Sequence, residues 1–548
     1  MLKAHIAYFI RLMDCYVDGM ISDLANDPLA ADLSADVCII GAGVAGQTLA
    51  MRLAKSNRKI LLVESGGRDF DAQTQKLSGG ENIGEDYYDL ETTRLRLFGG
   101  TAAIWGGRCA ELDPIDFEQR DYLPHSGWPI TKADLDPYYE KAYAALGLER
   151  AGENRLWPTV GREKPEFDAS KLDTDLWCFD ENGERFTNVS RGHLDRVEIL
   201  LNATLTELDV AKDGEVRTAT LQSLNGNKVT VAAKTFVLAA GAIETIRLLM
   251  AAVPNRPEGL GNETDQLGRF FMEHPHARGG EIKPKNLGQS LMVLPRALRV
   301  KGKRYAAYLR PAESFQREAG ILNTSLSLAP RRHEGDKPDL MRAAKGKLKH
   351  DLPSTKFWRS TYKRLKTLTI KLREMTDPWP SVFAMKKSRG KLGLYAVIRA
   401  EQAPNPDSRI TLSEDKDALG LPLAKLDWQY SEIDKRSVRV LMETLRDEYG
   451  RLGWGEVELA PWLTDPTLDW KNDPLISSHP IGGYHHMGGT RMSATPATGV
   501  VNADCRLHAS PNLYIASSSV FPTGGWANPT VTIMALAERL GDHIDGTL

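Results

Sequence analysis

The chain has 548 residues, 70 Lys and Arg against 72 Asp and Glu, a formal charge of -2, 42% hydrophobic residues and 26% charged ones. That length provides roughly two to four domain-sized cores and excludes a small disulfide-stapled scaffold, while the composition excludes a polytopic membrane protein and a disordered chain. The charge balance offers no argument for nucleic acid. Cys15, Cys38, Cys109, Cys178 and Cys505 are scattered and include no CxxC pair, which points to reduced thiols in a cytoplasmic protein and to no metal site.

Residues 4–13 are apolar but interrupted by His5 and Arg11, and no stretch reaches the roughly 20 apolar residues of a membrane helix. Neither a cleaved signal nor an integral membrane segment is expected. Residues 1–34 read as an N-terminal extension, of which 1–19 precede a second candidate start at Met20.

From Asp36 the pattern sharpens. Asp36 to Ile40 is a short apolar run of the kind that forms a buried parallel strand, and it leads into Gly41-Ala42-Gly43-Val44-Ala45-Gly46. A helical stretch from Gln47 to Ser56 follows, then a second apolar run, Lys59 to Val63, ending on Glu64. In this unit Gly41 permits the tight turn, Gly43 lets backbone approach a pyrophosphate, Gly46 allows close helix packing, and the helix N-terminus offers amide donors to phosphates. Glu64 stands where a ribose diol would be bound, and its charge argues against a 2'-phosphate. FAD and NAD both satisfy this much.

Next, Phe98 to Gly107 packs four glycines among small residues around Gly100, Thr101 and Trp105, as backbone lying flat against a large rigid ligand would require. Val197–Leu201 and Thr204–Val210 read as strands, with a hairpin turn at Asn225-Gly226 before a strand from Lys228 to Ala232. A separate buried strand, Thr235 to Ala239, breaks at Ala240-Gly241 into a helix ending near Met250. Between about His276 and Asp473 the pattern turns to strand-like segments, Ser325–Leu328, Gly393–Ala400 and Arg409–Leu412, and a helix from Ser431 to Leu452. This stretch reads as an inserted domain that shapes a substrate pocket, with Trp379 and Phe383 as aromatics able to stack on a sugar face. It contains a strongly basic block over 342–391, a candidate contact for an acidic partner or a subunit.

The densest chemistry lies between Ser478 and Met492, where His479, His485 and His486 sit among glycines that suit close approach better than packing. After an apolar run at Asn512 to Ala516, Asn528 reads as a helix cap and Pro529 as the first position of an apolar helix beginning with Thr530.

Gly41 to Gly46 with Glu64, Gly99 to Gly107, Val237 to Thr245, Gly268 to Pro275, Gln402 to Arg409, His486 to Met492 and Asn512 to Leu540 together resemble the glucose-methanol-choline (GMC) flavoprotein oxidoreductases, in the family's order and over nearly the whole chain. The pattern is most similar to the branch of bacterial sugar and polyol dehydrogenases and pyranose 2-oxidase, whose active-site pair is His and Asn. The resemblance implies an α/β fold with a discontinuous Rossmann-like FAD-binding domain, 35–275 and 476–548, around an inserted substrate-binding α+β domain, 276–475, containing an antiparallel sheet. It selects FAD over NAD and implies that Gly41, Gly43, Gly46, Glu64, Gly100, Thr101, Trp105, Ala240, Gly241, Asn528, Pro529 and Thr530 hold it.

The resemblance further implies that His486 is the catalytic base, with His485 as runner-up and Asn528 as its partner. A secondary hydroxyl of a sugar or glycoside would become a ketone, His486 taking the hydroxyl proton as hydride passes to flavin N5. His274, His485, Thr490 and Arg491 would support the site. Ile104 stands before Trp105 where pyranose oxidases carry the flavin-linked histidine, so FAD is expected to be non-covalent. Oxygen, a quinone or a protein would take the electrons, and the alternative substrate is a polyol or other non-sugar alcohol.

Overall fold

The computed structural model describes residues 21–27, 32–150, 156–159, 161, 163–182, 185–187, 194–288, 290, 298–333, 385, 386, 388, 390–471 and 484–548. Most of the basic block, Trp379, Phe383, His479 and residues 1–20 lie outside this set.

The first sheet has Leu33–Ile40 at its centre, parallel on one side to Ile60–Val63 and on the other to Lys228–Leu238. Val37 to Ile40 and Ile60 to Val63 are all buried, as expected of strands covered on both faces. The outer strands are Val197–Leu201 beyond Ile60–Val63, and the antiparallel pair Val216–Gln222 and Thr204–Val210 on the far side. Lys228 to Leu238 is one strand rather than the two segments expected. It pairs antiparallel with Val216–Gln222 at its start and parallel with Leu513–Ile515 at its end, so two partners share one edge in succession. Ile21–Asp23 adds an edge strand parallel to Val197–Leu201, so part of the N-terminal extension belongs to the sheet.

Helix Val44–Leu53 lies against the C-terminal helix Thr530–Thr547. A Cβ on Gly541 would come within 2.5 Å of Arg52 Cγ, so glycine sets the approach of the two helices. Tyr139, on helix Lys132–Leu146, shares a 2.9 Å hydrogen bond with Thr532 and fixes the other flank.

The second sheet is antiparallel, in the order Gly455–Leu459, His276–Pro284, Leu392–Arg399, Ser325–Arg332, Lys303–Pro311, Leu172–Phe179 and Arg108–Cys109. The expected division at residue 275 is therefore not where the sheets divide. Leu172–Phe179, from the segment assigned to the cofactor domain, pairs with Lys303–Pro311 from Tyr305↔Cys178 to Pro311↔Leu172. Helix Glu432–Arg451 covers one face of this sheet, where a Cβ on Gly279 would meet Met442 Sδ at 2.7 Å and Ile398 Cδ1 at 2.8 Å. Since neighbouring residues alternate faces, Arg399, its register partner His276, Ser325 and Ser327 lie on the other face, toward the C-terminal loops. Arg409–Lys416, Pro422–Asp427 and Gly80–Asn82 form a small third sheet.

Candidate active site

The glycine turn after Ile40 is built as its spacing requires. Gly41 has φ of +112°, and a Cβ there would lie 2.5 Å from the Ala239 carbonyl oxygen; a Cβ on Gly46 would lie 1.9 Å from the Gly41 carbonyl oxygen. Gly43 differs, since a Cβ would meet nothing within 4 Å, which leaves its outer side open to a ligand. The second glycine loop lies against this opening. Gly99 N–H donates to the Ala42 carbonyl at 3.0 Å, Gln47 Nε2 bridges the Ala42 and Phe186 carbonyls, and Gly100 at φ +55° places its Cβ position 3.4 Å from Gly43 Cα.

Thr101 accepts the Leu95 amide at 3.1 Å, and Trp105 packs edge-on against Phe186. Ala240 and Gly241 follow Lys228–Leu238 beside the Gly41 turn, with Gly241 at φ +78° and open space where a Cβ would be. Glu64 is buried, and its two oxygens accept the Ala42 and Gly66 amides, each at 2.9 Å. Burial raises its pKa against those two bonds, and each oxygen retains a lone pair for a ribose hydroxyl. An open Gly43 between two apposed glycine loops, with a buried carboxylate at the adjacent strand end, fits a dinucleotide such as FAD.

The histidine segment is tied to the loop before the C-terminal helix through a chain of imidazoles. His274 Nε2–H donates to the Gly525 carbonyl at 2.8 Å, which leaves His274 Nδ1 to accept from His485 Nδ1–H at 2.9 Å. Beside them, Glu273 Oε1 accepts the amides of His274 and His485, and Glu273 Oε2 accepts the Tyr87 hydroxyl at 2.9 Å. Its carboxyl is pushed up to about 7 by burial, against those hydrogen bonds.

His486 comes next in the chain. It is buried, its carbonyl accepts Ser518 Oγ at 2.6 Å, and its Nε2 has no hydrogen-bond partner among the described residues. Burial, with Arg94 nearby, pushes the imidazole down to about 3, so it is neutral at physiological pH and able to accept a proton.

Asn528 does not cap the C-terminal helix as expected. Helix Thr530–Thr547 starts after Pro529, whose carbonyl accepts Ile533 N–H, and Asn528 Oδ1 is buried without a partner among the described residues. Because Pro529 already occupies the helical region, the Asn528 side chain is not recruited to the first-turn amides. Two buried polar atoms without partners, Nε2 of His486 and Oδ1 of Asn528, mark places where a ligand completes the hydrogen bonding.

Residues 36–268 match the model of the FAD dependent oxidoreductases, and residues 404–537 match that of the GMC oxidoreductases. The chain belongs to the GMC oxidoreductase family. Curated relatives of this GMC oxidoreductase include the fructose dehydrogenase large subunit of Gluconobacter japonicus, 23% identical over 93% of this chain and 98% of that protein. Another is the 2-methyl-1,2-propanediol dehydrogenase of Mycolicibacterium austroafricanum, 24% identical over 93% of this chain and 95% of its own length. Among solved structures, a formate oxidase superposes with a TM-score of 0.56 at 16% identity, covering 94% of this chain and 99% of that one, which supports the fold.

The GMC oxidoreductase is therefore an FAD-dependent enzyme, and the glycine loops and Glu64 are the residues suited to hold that cofactor. Among the described residues no His, Cys, Asp or Glu cluster could hold a metal, and no helix is long and apolar enough to cross a membrane. Thr490 and Arg491 support the site at a distance: Thr490 donates to Ser519 Oγ, and Arg491 donates to the His125 carbonyl and lies over the Phe270 ring.

Tyr87, Arg94 and the role of Glu273 are not evident in the sequence. Glu273 falls within the singled-out Gly268–Pro275 motif, but a carboxylate between Met272 and His274 carries no sign that it faces a histidine more than 200 residues later.

Proposed function

We propose that this GMC oxidoreductase oxidises a secondary hydroxyl of a sugar or glycoside to a ketone, with His486 and Asn528 as the catalytic pair. The observation that carries this reading is the pair of buried, unpartnered atoms, His486 Nε2 and Asn528 Oδ1, in one loop system. A substrate hydroxyl donates to the neutral imidazole of His486, to which its proton passes, the Asn528 side-chain N–H holds its oxygen, and a neighbouring hydroxyl of the same sugar donates to Asn528 Oδ1. Bound FAD supplies the acceptor for the carbinol hydrogen. His485, His274 and Glu273 position the segment that presents His486.

The likeness to a fructose dehydrogenase subunit supports a sugar substrate. The likeness to a propanediol dehydrogenase favours a second reading, a dehydrogenase of a polyol or other non-sugar alcohol that passes electrons to a quinone or a protein. FAD is held without a covalent bond, because Ile104, the residue before Trp105, has no nucleophile to offer. Oxygen, a quinone or a protein serves as the final acceptor. The buried free thiols Cys38, Cys109, Cys178 and Cys505 suit a cytoplasmic setting. The excess of Lys and Arg over 342–391 suits recognition of an acidic partner or a subunit.

Anaerobic mixing of the yellow protein with a panel of glycosides, polyols and hydrophobic alcohols tests the reading. Bleaching of the flavin by sugars supports it, bleaching by diols alone moves the function to the second reading, and bleaching by none refutes both.

A further inference from the structure

The sheet face toward His485 and Trp526 carries a buried cation without a counter-charge among the described residues. Arg399 is 8% exposed. Its Nη1 donates to Ser327 Oγ at 3.1 Å and its guanidinium lies 4.9 Å from the centre of the Trp177 ring. No described carboxylate lies within ion-pair distance of it. Burial pushes its pKa down to about 10.

Its neighbours place it beside the reacting groups. His276, the register partner of Arg399, has its ring centre 6.4 Å from that of His485, and Trp177 has its ring centre 5.9 Å from that of Trp526, two residues before Asn528. Arg399 thus stands between the histidine segment and the loop that carries Asn528.

The same face gathers further positive charge. Arg108 lies 5.2 Å from the centre of the Trp177 ring and 5.5 Å from that of Phe179, and Arg304 lies 4.3 Å from Phe179. Of the acidic groups nearby, Asp175, on the same strand face as Trp177, forms no ion pair among the described residues, accepts the Leu176 amide at 2.8 Å and has its carboxyl pushed up to about 6 by burial; two others are committed elsewhere. Asp173 is paired with Lys164 and Arg310, and Asp113 with Arg310 and the Trp526 indole. A guanidinium removed from water without an anion is costly. Cation–π contact with Trp177 recovers only a part of that cost.

We infer that the substrate carries an anionic oxygen group, a sugar carboxylate or phosphate, and that Arg399 receives it on the wall formed by Trp177 and His276. The planar guanidinium fork matches two oxygens of either group, and its position turns the anion's sugar ring toward His486 and Asn528. The inference rests on the reading of this region as a sugar-oxidising site and names the class of sugar it takes.

Binding and reduction are measured separately on the FAD-loaded protein. Calorimetric titration with D-glucose, D-glucuronate and D-glucose 6-phosphate compares one ring with three substituents at the same carbon. One anionic ligand should bind about tenfold to a hundredfold more tightly than glucose, and Arg399→Met should remove that advantage while Arg399→Lys keeps part of it. Preference for glucuronate or for the phosphate distinguishes a carboxylate from a phosphate substrate. Retained FAD absorbance in both variants shows that the site is still assembled. Equal affinity for glucose and both anions, or an anion preference unchanged in Arg399→Met, overturns the inference. Flavin bleaching by glucose with no anion preference leaves the sugar-oxidising reading standing without it; an Arg399-dependent anion preference without bleaching by any sugar leaves the anion site standing and removes that reading.

Discussion

His486 Nε2 lies 3.9 Å from Glu273 Oε2, too far for a hydrogen bond and near enough for the carboxylate charge to act on the ring. An ionised Glu273 stabilises the imidazolium formed when His486 takes a proton. With the Glu273 carboxyl raised to about 7 and His486 lowered to about 3, the titration that governs the base near neutrality belongs to Glu273. The rate of flavin reduction at saturating substrate should rise as pH passes about 7 and then level. Glu273→Gln should flatten that step and lower the plateau by about tenfold to a hundredfold. A step near pH 7 that survives in Glu273→Gln assigns it to another group.

The depressed His486 value also bears on stability. Folding excludes a proton that the unfolded chain would bind between about 3 and the ordinary imidazole value of 6.5, so the neutral buried imidazole costs stability progressively as pH falls through that window. Replacing His486 with Gln should reduce the loss of thermal stability between pH 6.5 and pH 4, measured as the melting temperature at each pH.

His486→Ala and Asn528→Ala should both leave a yellow, folded protein and slow flavin reduction by substrate, the former by about two or more orders of magnitude. Since Asn528 Oδ1 makes no hydrogen bond within the described protein, Asn528→Ala should not carry the 0.5–2 kcal/mol cost of losing a helix cap. A denaturation midpoint close to that of the parent, with slow reduction, is the expected pair of results; a large stability loss with unchanged reduction would return Asn528 to a capping role.

Two glycines of the first turn should separate folding from cofactor binding. Gly46→Ala places a Cβ 1.9 Å from a backbone carbonyl oxygen and should impair the fold itself. Gly43 has φ of -75° and a Cβ there meets no protein atom within 4 Å, so Gly43→Ala should fold normally and lose FAD affinity. Flavin content after gel filtration, read beside the melting curve of the apoprotein, distinguishes the two.

Glu244 gathers three buried arginines, with Arg94 at 3.3 Å, Arg96 at 3.0 Å and Arg247 at 2.9 Å, and Arg247 also pairs with Asp417 at 2.5 Å. These arginines hold its carboxyl well below the usual range. Glu244→Ala should destabilise the protein by about 3–5 kcal/mol, because it leaves buried guanidinium groups without their anion. Because its folded value is depressed, the contribution of Glu244 is present above its unfolded pKa near 4.5 and is lost as pH falls below it. Urea titrations at pH 7 and pH 4 should show a smaller difference between parent and variant at the lower pH.

Acid precipitation should release the flavin into solution, as expected when Ile104 precedes Trp105. Yellow colour retained in the washed pellet would show a covalent link at another residue.

The sequence by itself determined what depends on residues close together in the chain. Gly41, Gly43, Gly46 and Glu64 declare a strand, turn, helix and strand because the steric needs of the turn and the apolar runs are local. His486 stood out for the same reason, its glycine neighbours. Only the tertiary structure decided which distant residues face these. It made one strand of 228–238, since a strand can change partners along one edge without a break in its apolar pattern. It carried Leu172–Phe179 into the second sheet, a pairing set by strand register and not by composition. It released Asn528 from the helix cap, a matter of one residue's backbone angles. It also placed Glu273 beside His486 and left Arg399 without a carboxylate among the described residues, because charge compensation in a buried site is a property of three-dimensional neighbours, and the near-equal totals of 70 and 72 do not reveal where it fails.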